Sequence, residues 1–334
     1  MIVVTGGAGF IGSNLVAALA EREAGGVVVS DLLGDGDKWR NLAKHEVADI
    51  LPPDQLLRFL ANRAEHDTDW GQIDAVVHLG ANSSTTETDV DLILRQNFAY
   101  SMTLWRLCAA HGIRLIYASS AATYGDGSAG FDDNGAPVAL AGLRPLNPYG
   151  WSKHLFDQRV ARLSTAAKTR PPQWAGLKFF NVYGPNEYHK GAMQSVVAQK
   201  FPLVRDDRPV TLFRSHHPDY ADGEQVRDFI HVGDCVSVML WLLDNPEVNG
   251  LFNVGTGKAR SFLDLAHAVY SATGKPANIE FIDTPDAIRD QYQYFTEATT
   301  ARLRDAGYTT PFMSLEDGVA DYVKSYLATD DPYR

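Results

Sequence analysis

The sequence predicts an α/β protein: a doubly wound parallel sheet covered by helices on both faces, with a smaller α/β lobe. Three observations carry this. Short β-branched runs alternate with longer segments of helical periodicity through the first half of the chain. The alternation loosens after Gly184, where a second lobe would begin. The length, 334 residues, suits one large domain with an added lobe.

The elements follow in order. IVVT (2–5) reads as a strand, and IGSNLVAALAER (11–22) as a helix with Leu15, Ala18 and Leu19 at helical spacing. VVVS (27–30) is a second strand and HEVAD (45–49) a candidate third. AVVHLG (75–80) reads as a buried strand, and residues 92–112 as a long helix ended by Gly112. RLIYASS (114–120) is a strand, residues 149–164 a helix, and AGLKFFNVY (175–183) a strand. Such alternation favours a parallel sheet. Beyond it, strands are expected at 225–232, 251–255 and 278–283, and helices at 234–245, 261–274 and 314–327. The expected division is 1–180 plus 226–257 for the sheet domain, and 181–225 plus 258–334 for the smaller lobe. The polar loop 215–225 has the length and turn composition of a lid or of a disordered segment.

Apolar residues make up 45% and charged residues 21%, enough for a globular core. The net charge is −11 with no local basic stripe, which argues against nucleic acid as a partner. An acidic ligand remains possible through a few Arg, Lys and helix N-termini. Cys108 and Cys235 lie in apolar helical patterns, so free thiols of a reducing compartment are expected rather than disulfides. No secretion signal and no run of 18 apolar residues is seen, so a cytoplasmic location without membrane insertion is expected. No metal site is expected.

TGGAGFIG (5–12) lies between the first strand and first helix and contains Gly7-x-Gly9-x-x-Gly12 and Gly6-x-x-Gly9-x-x-Gly12. Glycines there permit a tight turn and close approach of backbone to a pyrophosphate, which then sits on a helix N-terminus. In this strand–turn–helix context the pattern points to a dinucleotide-binding, Rossmann-type site. Asp31 ends the second strand, where an acid commonly holds the adenosine ribose and favours NAD. Lys38 and Arg40 follow, and as 2′-phosphate ligands they would favour NADP; as solvated cations they would favour neither. Asp49 and Ile50 stand where the adenine edge would lie, LGANSS (79–84) would run under the nicotinamide, and Asn97 would brace the site.

Tyr149-Gly-Trp-Ser-Lys153 places tyrosine and lysine four apart, on one helix face. A tyrosine of pKa about 10 is a poor base at neutral pH, and a neighbouring ammonium is expected to lower that value. Ser120, at a strand end, can share a hydrogen bond with the reacting oxygen. Together these move a proton while a nicotinamide moves a hydride.

TGGAGFIG, YASSAATYG (117–125), NPYGWSK (147–153), FFNVYGP (179–185) and VRDFIHVGD (226–234) resemble the extended short-chain dehydrogenase/reductase family acting on nucleotide sugars. The resemblance covers nearly the whole chain and implies oxidation of a sugar carbon followed by dehydration, decarboxylation or re-reduction. Dehydratases of the family carry an Asp-Glu pair after the serine and decarboxylases keep the glutamate; Ala121 and Ala122 stand here, and alanine takes no proton. Residues 34–42, 78–89, 179–193 and 290–298 are similar to the branch that inverts C6 of the heptose in an ADP-heptose, a lipopolysaccharide inner-core precursor.

That branch implies NADP, with NAD as the alternative, and a homo-oligomer, pentameric by resemblance. Its lysine at the position of Lys190 is a second acid/base opposite the tyrosine; from the residues alone, Lys190 could equally contact a diphosphate or lie in solvent. The resemblance puts Gly6, Gly9, Phe10, Ile11, Gly12, Asp31, Leu32, Lys38 and Asp49 at the cofactor. Leu79, Gly80, Ala81, Asn82, Ser83, Asn97, Lys153, Val182 and Lys190 complete that set. Substrate contacts expected are Ser120, Asn181, Ala192, Gln199, Phe213, Arg214, Ser215, Arg227 and Tyr292. Ala192 and Gln199 depart from the serine and histidine common in the branch. The competing readings are another nucleotide-sugar epimerase or reductase, and a non-catalytic NADP-binding sensor; the latter commonly loses the tyrosine or lysine, and both are present.

Overall fold

The apolar runs before Gly184, joined by one later strand, become one all-parallel, seven-stranded sheet in the computed structural model, which describes residues 1–22, 26–61, 72–285, 289 and 293–334. In chain order its elements are β1 (Ile2–Thr5), α1 (Phe10–Glu21), β2 (Val27–Ser30), β3 (Asp49–Leu51), α2 (Pro53–Ala61) and β4 (Ala75–His78). Then come α3 (Val90–Ile93), α4 (Tyr100–His111), β5 (Arg114–Ser120), α5 (Pro137–Ala141), α6 (Pro148–Leu163) and β6 (Trp174–Phe179). The strand order is β11-β6-β5-β4-β1-β2-β3, where β11 is Gly250–Val254. The order reverses between β1 and β4, and the crevice outside their carboxyl ends is where such sheets bind ligands.

Strands buried on both faces need helices on both. Leu15 and Leu19 of α1 share one core with Val236 and Met239 of α8 (Val232–Asp244). On the other face, Trp105 of α4 packs with Phe156 of α6 and Trp174 of β6. A third core belongs to the smaller lobe, between α7 (Val196–Arg205), β8 (Val210–Phe213), α9 (Phe262–Thr273), β13 (Ile279–Ile282) and α11 (Leu315–Tyr322). It contains Val197, Leu212, Leu265 and Tyr322. The remaining short elements are β7 (Asn181–Tyr183), β9 (Val226–Arg227), β10 (Phe229–His231), β12 (Arg260–Ser261) and α10 (Ala301–Asp305).

The α/β fold with a parallel Rossmann-type sheet is therefore as the sequence predicts, with local differences. The third strand falls at 49–51, not 45–49. The long helix of 92–112 is α3 and α4 joined by a wider π-helical segment, Leu94–Ala99, which turns Asn97 into the protein. The strand expected over 175–183 ends at Phe179. Phe180 N–H still bonds Val254 O, but Asn181–Tyr183 leaves the sheet to pair with β10. The strand expected over 225–232 breaks at Asp228, whose buried carboxylate accepts from the N–H groups of Thr256, Gly257 and Ala298. The Asp228 N–H goes to Thr296 Oγ1 at 3.3 Å rather than to a neighbouring strand, which interrupts the ladder there. Helices α2, α5, α7 and α10 and strands β8 and β12 have no counterpart in the sequence reading.

Candidate active site

The first turn of α1 begins at the switch point. Its N-cap is Gly9, with no side-chain cap, so the first-turn N–H groups are open to an anion. Gly6 has φ +67°, and a Cβ there would lie 2.6 Å from Gly80 N. A Cβ on Gly12 would collide with Gly6 O. The loop thus brings β1, β4 and α1 together at backbone distance, a cradle shaped for a pyrophosphate. Asp31 follows β2: Oδ2 accepts from Ala8 N–H at 3.0 Å, and Oδ1 accepts from Leu32 N–H at 2.7 Å and Lys38 Nζ at 2.6 Å. Lys38 is therefore paired rather than simply solvated.

A cavity of about 330 Å³ starts at this cradle and ends at Ser120, Tyr149, Lys153 and Lys190. Gly6, Gly9, Phe10, Ile11, Gly12, Asp31, Lys38, Leu79, Gly80, Ala81, Ser83 and Val182 line it, all expected at the cofactor. Leu32 and Asn82 line an adjoining cavity of about 350 Å³ with Pro53 and Tyr100. Asn97 sits behind that wall: its Oδ1 accepts from Asn82 N–H at 2.8 Å, and its Nδ2 donates to Asn82 O at 2.9 Å and Ser152 Oγ at 3.0 Å. Asp49 lines neither cavity; its carboxylate accepts from Ile50 N–H. These residues fit a nicotinamide dinucleotide.

Three residues of α6 at helical spacing meet the end of β5. Tyr149 hydrogen-bonds Ser120, and Lys153 Nζ donates to Ala118 O at 2.9 Å. Asp157 accepts from Ser119 Oγ at 2.6 Å, Tyr117 OH at 3.0 Å and Lys178 Nζ at 2.7 Å. The electrostatics correct one expectation. The Tyr149 phenol is not lowered by Lys153: burial raises it, and the Ser120 hydrogen bond offsets part of the rise. Burial instead lowers Lys153 to about 8, against the pull of Asp157.

Lys190 stands across the same cavity on the turn Tyr188–Met193. Its ammonium lies 4.8 Å from the centre of the Phe10 ring and 3.9 Å from Glu187 Oε2. Burial lowers its pKa and Glu187 raises it. Glu187 also accepts from Ser195 N–H and from Ser195 Oγ at 2.6 Å, closing the loop on both sides of Lys190.

A third cavity, about 380 Å³, shares Ser120, Tyr149, Phe179 and Phe180 with the first. Asn181 and Arg227 line it, as do the methyls of Ala121 and Ala122. No carboxylate lines it among the described residues. The other expected substrate contacts lie elsewhere. Ala192 is exposed, and Gln199 Nε2 bonds Ala192 O and Gln194 O. Phe213 ends β8; Arg214 pairs with Asp283 at 3.1 Å, and Ser215 N–H donates to Asp222. Tyr292 lies outside the described residues. The sequence reading missed His189 in the first cavity, and Asn147, Gln293 and Thr296 in the third. His189 stood beside Lys190 in the sequence, and that adjacency was the available signal.

The profile of the NAD dependent epimerase/dehydratase family matches residues 2–255. A protein of Nitratidesulfovibrio vulgaris (strain DP4) named ADP-L-glycero-D-manno-heptose-6-epimerase is 51% identical over 333 residues, covering 100% of both chains. One of Fusobacterium nucleatum with the same name is 45% identical over 339 residues, again covering 100% of both. Among solved structures, the Helicobacter pylori ADP-L-glycero-D-manno-heptose-6-epimerase superposes with a TM-score of 0.79 at 28% identity, over 97% of this chain and 95% of that one. The Thermus thermophilus UDP-glucose 4-epimerase, solved with NAD, gives 0.73 at 26% identity over 96% of each.

Proposed function

The chain belongs to the NAD dependent epimerase/dehydratase family, and on that premise we propose that it inverts C6 of the heptose in ADP-D-glycero-D-manno-heptose to give the L-glycero epimer. The observation that carries the reading is the pair Tyr149 and Lys190 on the walls of one cavity, beside a substrate-side cavity whose described lining holds no dehydrating acid.

A nicotinamide held in this cavity would supply the acceptor for the C6 hydride and its source on return. Oxidation leaves a planar ketone. Inversion requires that ketone to turn about one bond, so that the hydride returns to its other face with the oxygen pointing elsewhere. One fixed proton donor serves only one of these orientations, so two are needed. Burial moves the two candidates apart, Lys190 down toward a base and Tyr149 up toward an acid. In the D-to-L direction Lys190 takes the hydroxyl proton, and Tyr149 protonates the ketone oxygen in the turned orientation. Exchange with water resets both. Ser120 would hydrogen-bond the reacting oxygen, Lys153 would hold the nicotinamide ribose, and Asn181 and Arg227 would bind the nucleotide sugar.

NADP is the proposed cofactor, supported by Lys38 at the adenosine end of the cavity; NAD is the alternative. The product is a lipopolysaccharide inner-core precursor, the protein is a homo-oligomer, pentameric by resemblance, and the location is cytoplasmic. Two buried free thiols support the last, and no helix among the described residues is long and apolar enough to cross a membrane. The test is to identify the cofactor released on denaturation by mass spectrometry and to follow the two ADP-heptose epimers by NMR. Lys190→Met is expected to lower kcat by about 10²–10⁴. Full activity in that variant would sink the two-base mechanism.

A further inference from the structure

We propose that Asp331–Arg334 are positioning residues, a strap that ties the loop carrying Lys38 to the loop carrying Lys190 and so retains the cofactor. The inference rests on the cofactor occupying the cavity at the start of α1, as proposed above.

Each loop is little more than one tight turn, residues 37–41 and 188–193, and neither has a ladder to hold it. The strap reaches both. On one side, Lys44 Nζ pairs with Asp331 at 2.9 Å and donates to Tyr333 O, and the Arg40 guanidinium lies 4.8 Å from the centre of the Tyr333 ring. On the other, Tyr188 meets the Tyr333 ring edge-on at 5.2 Å, and its hydroxyl donates to Pro332 O at 2.7 Å. Arg334 N–H donates to Asn186 Oδ1 at 2.9 Å. The Arg334 guanidinium donates to both carboxylate oxygens of Glu21, the last residue of α1. Tyr333 is 9% exposed, so this is packed structure rather than a tail lying on the surface.

The strapped loops also touch each other. Asn41 Nδ2 donates to Asn186 O at 3.1 Å and to His189 Nδ1 at 3.2 Å. Asn186 is left-handed at φ +71° without being a glycine, a conformation that persists only when its surroundings hold it. Its Nδ2 donates to Ser13 Oγ of α1, and the strap supplies the partner for its Oδ1. The strap therefore fixes Lys38, His189 and Lys190 around one cavity. Retention matters to a reaction that returns the hydride it removed, because a cofactor lost at the ketone stage strands the intermediate.

The test uses the full chain and titrates NADPH and NADH by fluorescence, with cofactor content after gel filtration and Tm as parallel readouts. Tyr333→Ala/Arg334→Ala is expected to weaken nucleotide binding about tenfold or more, as loss of the packed ring, its stacked cation and the Arg334–Glu21 ion pair would loosen both loops. Tyr333→Phe keeps the ring and is expected within about twofold of the unaltered protein. Leu303→Ala, in the core under α8, lowers Tm as a control and leaves nucleotide affinity alone. Binding within twofold in the double variant would overturn the strap, as would equal weakening in Leu303→Ala at the same Tm. If the unaltered protein binds neither nucleotide, the cofactor-site assignment falls and the strap with it.

Discussion

Replacing Asp157 by asparagine asks whether charge holds α6 against β5. The Asp157 carboxylate is wholly buried, and so is its partner Lys178 at 2.7 Å. Asparagine keeps the shape but removes the charge and offers one acceptor oxygen where three donors converge. Lys178 would then rely on Thr123 Oγ1 at 2.7 Å, the face of Tyr124 at 5.0 Å and a share of one neutral amide oxygen. Removing one member of a buried pair costs about 3–5 kcal/mol, because an uncompensated charge stays behind. At about 2 °C per kcal/mol for a large domain, Tm falls by roughly 6–10 °C. Asp157→Asn/Lys178→Met removes both charges and is expected to recover most of that loss, since apolar replacement of a buried pair is often neutral. Activity should not recover with it. Asp157 lies one turn beyond Lys153 and bonds Ser119, the neighbour of Ser120, so the double variant melts normally but turns over slowly. Thermal melts by circular dichroism and kcat for the three proteins provide the assay. An Asp157→Asn protein melting within about 2 °C of the parent would refute the reasoning, as would a double variant less stable than the single one.

Lys153 makes a pH prediction of two parts. Its folded value of about 8 lies below the roughly 10.4 of an unfolded lysine, so the unfolded state binds more protons between them. This group therefore adds stability as pH rises through that window, while kcat/KM falls above about pH 8 as the ammonium is lost. Alkaline inactivation that tracks unfolding in a melt would contradict it. Gly12→Ala is expected to abolish cofactor binding and to lower Tm, because its Cβ meets Gly6 O. Gly36→Ala, with nothing within 4 Å, is expected to do neither, and isothermal titration with NADP distinguishes them.

Where local pattern and tertiary demand coincide, the sequence was enough. β5 spans 114–120 as read, and Gly112 ends α4 in the left-handed conformation expected of it. The Gly6–Gly12 loop and the 149/153 pair were legible because their spacing is set within one element. The breaks at Phe180 and Asp228 were not, since they depend on hydrogen bonds to Val254, Thr256 and Gly257, which only the folded chain brings near. The same holds for Lys178, which reads as an ordinary residue of an apolar strand until Asp157 arrives from α6. The ionisation of Tyr149 was misjudged for a related reason. The neighbouring ammonium was visible in the spacing, but the burial that raises the phenol was not.

The two edges of the large sheet bear on how copies of this chain can meet. β3 is three residues long and runs directly into Pro52 and Pro53, and proline offers no N–H to an incoming strand. At the other edge, the outward N–H of Asn253 in β11 is already taken by Asp133 Oδ2 at 2.7 Å, and Asn253 Nδ2 bonds Phe131 O. Both margins carry features that disfavour strand addition, which helps protect a seven-stranded apolar sheet from aggregating edge to edge. These edges favour assembly of subunits through helix and loop faces over a β-ladder of the large sheet running from one copy into the next.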